Sequence, residues 1–188
     1  MSTTTLVIAI VVIVIALAVV GFFVVQNNRR RQLRQRFGPE YERAVTEEGD
    51  PKRAERALGE RVKRRQQLEI RELAPDARTR YAQSWRAIQT QFVDDPRGAI
   101  QQAETLVVNV MRDRGYPTEG FEQQAADVSV DHAGVIENYR RAHDISVANA
   151  EGRASTDDLR QAMVHYRTLF QDLLGEPPVE ASRTEEVK

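Results

Sequence analysis

Leu6 to Val25 reads LVIAIVVIVIALAVVGFFVV, 20 consecutive residues without a polar side chain. A helix of that length extends for about 30 Å, the thickness of a bilayer's hydrocarbon core. In lipid the backbone groups of a helix satisfy one another, so the many β-branched residues are no obstacle. A buried core helix is rarely so long and so uniformly apolar. The run therefore predicts a transmembrane helix over residues 6–25, preceded by a short N-terminal tail at 1–5. A cleaved leader is the rival reading, because Ala16-Leu17-Ala18 has small-x-small spacing. It is the weaker one: MSTTT carries no basic residue and the apolar run continues past Ala18.

The next residues fix the orientation. Arg29, Arg30, Arg31, Arg34 and Arg36 follow the span, while nothing positive precedes it. The positive-inside rule then places the C-terminal side in the cytoplasm and the N-terminus outside. The expected partners of this basic juxtamembrane neck, residues 26–36, are the lipid bilayer and its anionic headgroups. The net charge of the whole chain is −1, so removing the neck's +5 leaves −6 on the rest. A mildly acidic body argues against a nucleic-acid partner. Cysteine is absent, which excludes disulfides, thiolate metal sites and a cysteine nucleophile.

Residues 37–174 read as an all-α soluble domain, a bundle of about five or six helices. A first helix runs from the neck to Gly49, with an interruption at Gly38-Pro39. Asp50-Pro51 opens a highly charged second helix that extends to Leu73, and Asp94-Asp95-Pro96 opens another. Tyr81, Trp85, Ile88 and Phe92 fall on one helical face, as do Ile100, Ala103, Leu106, Val107, Val110 and Met111. Ser155 or Thr156 with Asp158 forms a capping-box candidate ahead of the last helix, whose stripe is Leu159, Met163, Tyr166, Leu169, Phe170 and Leu173. No segment alternates as a strand does. Residues 175–188, polar and with two prolines, read as a disordered tail.

Chemistry is sparse. His132 and His143 read as lying on nearly the same face of one helix, about three turns apart, too far for one metal ion. His165 stands alone. No phosphate-cradling glycine loop and no nucleophile elbow occurs. No catalytic residue, cofactor or metal set is assigned. The second helix carries eight basic residues against four glutamates between Lys52 and Leu73. It reads as a solvated charged helix held by pairs such as Glu60 with Arg64, ahead of a basic arm lying on a membrane or an acidic partner.

RFGPEYERAV, FVDDP, MRDRGYP, SVDHAGVIENYRRAH and ASTDDLRQAMVHYRTLF together resemble a group of bacterial proteins of no assigned activity. These look like short N-terminally anchored chains with an arginine-rich helical body. The resemblance covers residues 33–174 and implies a bacterial, single-pass protein of the cytoplasmic membrane. It carries no ligand or catalytic position. Asp131, His132, Asn138, Arg140 and Arg141 stand out as a candidate interaction surface, with inter-helix salt bridges and caps as the alternative. Three functions are expected, in this order. The first is a membrane-tethered protein-interaction module with an unknown protein partner. The second is a structural envelope protein self-associating through its charged helix. The third is an enzyme or sensor whose site, drawn from His132, His143, Tyr139 and Arg140, is assembled between helices.

Overall fold

The computed structural model describes residues 30–175, together with Leu17, Val20, Gly21, Asn27 and Asn28. Apart from Leu17, Val20 and Gly21, the apolar run 6–25 lies outside the described residues, as do Arg29 and residues 176–188 of the tail. No helix of the described residues is long and apolar enough to cross a membrane.

The described chain is all-α. Residues 30–37 are helical. Seven helices follow: α1 (Pro39–Glu48), α2 (Pro51–Gln66), α3 (Pro75–Gln91), α4 (Pro96–Arg114), α5 (Phe121–Val128), α6 (Ile136–Ala150) and α7 (Thr156–Leu174). That exceeds the expected five or six, while the breaks at Gly38 and Gly49 fall where the sequence places them.

The local punctuation works as the residue types dictate. Four helices begin with proline at their first position, where the missing N–H costs nothing. The Asp50 side chain accepts from the Arg53 amide at 2.8 Å, and Asp95 accepts from the Gly98 amide at 2.9 Å. Ser155 and Asp158 close a reciprocal capping box.

Two expectations need correction. The charged helix stops at Gln66, not Leu73. Residues 69–74 instead run as an irregular segment across the end of α4. The Arg71 amide donates to the Arg114 carbonyl at 2.9 Å, and Ile70 and Leu73 pack on the bundle core. A Cβ on Gly115 would stand 2.4 Å from the Glu69 carbonyl oxygen, so only glycine allows this crossing. The second correction concerns His132. It sits in the turn before α6, which begins at Ile136, so His132 and His143 share no helix.

There are two apolar clusters. The larger unites α3 to α7 around Ile100, Val107, Tyr139, Tyr166 and Leu169, all essentially inaccessible. The smaller holds Leu33, Phe37, Tyr41, Ala44, Ala54 and Leu58, closed by Val130. Leu33 of the neck and Phe37 just after it are thus core residues of an N-terminal hairpin. The domain begins inside the segment read as a separate neck.

Candidate functional site

The neck arginines are spent partly on the protein itself. Arg30 pairs with Glu55 at 3.2 Å and reaches the Tyr41 hydroxyl at 3.3 Å. Arg34 lies over the Tyr41 ring, 4.9 Å from its centroid. Arg36 donates to the Val130 carbonyl at 3.3 Å and stands 3.9 Å from Asp131. Arg31 is exposed and has no ion-pair partner among the described residues.

Between the hairpin and the bundle runs a seam of ion pairs. At its centre Glu40, 3% exposed, accepts through Oε1 from Arg61 at 2.7 Å and from Arg140 at 2.9 Å. Arg140, 4% exposed, also reaches the exposed Glu122 at 3.3 Å. Glu40 sits in the first turn of α1, where the helix dipole favours a carboxylate. Its second oxygen, Oε2, and the Arg140 Nε are buried without a partner. Arg64 donates to the fully buried Asp127 at 2.9 Å, and Arg65 pairs with Asp131. Asp131 also accepts from the Tyr116 hydroxyl at 2.8 Å; burial first and this carboxylate second push the phenol's pKa up, so it remains a donor. Arg43 joins Glu47 at 2.7 Å to Glu137 at 3.4 Å.

An open groove follows one edge of this seam. Pro39, Glu40, Arg43 and Thr46 of α1 face Ile136, Glu137 and Arg141 of α6 across about 550 Å³. Its lining mixes both charges with small apolar residues.

The histidines are separately occupied. The Arg114 Nη1, an obligate donor, lies 3.1 Å from His132 Nε2 and 3.0 Å from the Leu173 carbonyl. Nδ1 faces the Asp172 carboxylate, so both ring nitrogens have partners within the chain. His143 bonds Glu104 at 2.9 Å and stacks on Phe121 with centroids 3.6 Å apart. His165 bonds Asn138 at 2.8 Å. Among the described residues, no group of three or more His, Cys, Asp or Glu could hold a metal ion.

The five residues singled out in the sequence divide accordingly. Arg140 is buried and holds the seam; Asp131 ties α2 and the neck to the bundle. His132 and Asn138 brace α7, while Arg141 pairs with Glu137 at the groove. The sequence reading missed Glu40, Arg61 and Asp127, and paired Arg64 with Glu60, whereas Arg64 bonds Asp127 and Glu60 bonds Lys63. Only Glu40 carried a signal, as an acid in a proline-started first turn. No protein-family model, curated protein or solved structure matches the chain.

Proposed function

We propose that the chain is a membrane-tethered, single-pass interaction module of the bacterial cytoplasmic membrane. The span at 6–25 holds the helical body at the inner face, and the body docks a protein partner without catalysis. The mixed-charge groove between α1 and α6 carries this reading. It is open and lined by both charge signs, the features of a polar recognition surface. Arg31 is left on the exposed face of the neck, where it can meet anionic headgroups. The enzyme alternative loses ground because each histidine has its own structural partner and none meets another. Self-association through α2 loses ground because Arg61, Arg64 and Arg65 are already paired within the chain.

Two experiments test the proposal. The chain lacks cysteine, so Ser2→Cys and Ser182→Cys can each be labelled in spheroplasts with an impermeant maleimide. Labelling at Ser2→Cys alone is expected; labelling at Ser182→Cys would place the body outside. A pull-down of the full chain in detergent should then return a partner whose capture is lost in Arg43→Glu, in the groove. Recovery of the bait alone would overturn the module reading.

A further inference from the structure

The hairpin of the neck, α1 and α2 is a module with its own apolar cluster. Across its boundary with the bundle the contacts are mainly ionic. Arginines of α2 face carboxylates of α5 and of the turn after it: Arg64 against Asp127, Arg65 against Asp131. Arg61 meets Arg140 through Glu40. Beneath the hairpin the bundle presents Glu122, Asp127, Asp131 and Glu137, against which stand two guanidinium groups, Arg140 and Arg141. Of the bundle's side, only Val130 enters the hairpin's apolar cluster.

Two independent features say how this boundary is built. Arg140 of the bundle is 96% buried, yet its Nε has no acceptor; Glu40 of the hairpin is 97% buried, yet its Oε2 has no donor. Each unmade bond costs about 1–3 kcal/mol, so the closed seam is held less firmly than its ion pairs suggest. The other feature is the occupant. A helix is already seated on the face by Arg64 and Arg65, while Arg61, on the same side of that helix, pairs with Glu40 of the hairpin itself.

We propose that this acidic face is a docking surface for an arginine-rich helix of a protein partner, and that α2 occupies it in cis. The hairpin lifts as a unit, keeping its own cluster, and the partner's helix takes its place. This rests on the reading of the chain as an interaction module and names a second partner, whose docking opens the α1–α6 groove and so excludes the first. The neck joins the hairpin directly to the anchored end of the chain, so the part that lifts is the part nearest the membrane. The partner competes with a tethered helix whose effective concentration is on the order of millimolar. Docking is therefore suppressed until the seam is loosened.

The test uses the full chain in phosphatidylcholine nanodiscs, neutral lipid being chosen so that a basic peptide does not bind the bilayer. The probe is a labelled peptide of residues 49–67, the α2 segment itself. It should bind weakly to the wild type. It should bind at least about tenfold more tightly to Arg64→Gln/Arg65→Gln, in which the cis helix no longer holds the face. A peptide of the same composition in scrambled order should bind neither. Equal affinity for both chains, or no binding to a variant that keeps the emission of Trp85, overturns the proposal. Should the variant lose the bundle, hydrogen exchange on the wild type decides alone. Amides of α1 and α2 should exchange together, ahead of those of α4 and α7, and about tenfold faster in high salt than in low salt. A single opening shared by hairpin and bundle would mean that the face is never uncovered, and would sink the idea. That outcome leaves the module reading standing, because the pull-down and labelling experiments test it separately.

Discussion

The hairpin and the bundle solve the same problem with different materials. In the bundle, α4 and α7 each bury a broad apolar face, and large side chains such as Ile100, Tyr166 and Leu169 interlock at the centre. In the hairpin, α2 buries only Ala54, Leu58 and Gly59. Its remaining hold on the molecule comes from charge. Apolar burial is nondirectional, grows with area and is little affected by salt. Ion pairs need geometry, lose their hydration and are screened where exposed. One chain thus contains a firmly packed unit and a unit attached to it by a weaker, condition-dependent seam.

Core truncations should separate the two units most sharply. Ile100→Ala removes fully buried volume from the bundle and should cost about 2–5 kcal/mol of global stability. Leu58→Ala should cost the hairpin a similar amount but leave the bundle folded. Trp85, the one tryptophan, stacks on Phe170 with centroids 4.8 Å apart and reports on the bundle alone. Urea unfolding followed by its emission should shift for Ile100→Ala and barely move for Leu58→Ala, while exchange at α1 and α2 rises. Equal shifts would show a single cooperative unit.

The seam comes next. Arg140→Ala leaves buried Glu40 with Arg61 alone, and should cost about 3 kcal/mol, at the low end for a broken buried pair because one guanidinium remains. Replacing both partners, Glu40→Leu with Arg140→Met, should cost less than the sum of the single changes. A double-mutant cycle in urea that returned simple additivity would show that the pair is not coupled.

How much of this could be read in the sequence depends on the range of the forces involved. Helix starts and stops are set within four residues. Asp50-Pro51, Asp95-Pro96 and Ser155 with Asp158 were therefore legible, and so were the apolar faces of α4 and α7. The end of α2 was not. Charged residues continue past Gln66 with good helix propensity, but Leu73 and Ile70 gain more by packing on the bundle. The seam was the least legible part. Glu40 and Arg140 lie 100 positions apart, and each looks locally like an ordinary helix residue. The neck arginines were read for orientation only, although Arg30 and Arg36 also bind the protein's own carboxylates.

Matched cap deletions extend the comparison at lower energy. Ser155→Ala removes the side chain that accepts from the Asp158 amide at 3.2 Å. Asp50→Ala removes the acceptor that bonds the Arg53 amide, whose hydrogen bond holds the Asp50 carboxyl below its usual range. Ser155→Ala should cost about 1 kcal/mol, and Asp50→Ala should weaken the start of α2 in the same direction. Ser155→Ala should appear in global unfolding, and Asp50→Ala only in exchange from the hairpin. The reverse assignment would mean that the weaker unit has been misidentified.

The smallest effect concerns pH and belongs to the bundle. His165 of α7 is half-buried against Asn138, and burial first, then Arg141, hold its pKa below the ordinary value. Above the ordinary value, near 6.5, both folded and unfolded chains carry a neutral ring. As the pH falls below it, the unfolded chain takes up a proton that the folded chain resists. Stability present near neutrality is therefore lost between the ordinary value and the lower folded one. The ring is partly exposed, so the loss should be small. His165→Gln removes the titrating group. The drop in urea midpoint on moving from neutral to mildly acidic pH should be smaller in the variant than in the wild type. Because His165 lies in α7 against Asn138 of α6, the difference should appear in Trp85 emission and not in exchange from the hairpin. If it appeared in the hairpin instead, the pH-sensitive contact would lie at the seam, and the ranking of the two units by their dependence on charge would have to be extended into the bundle.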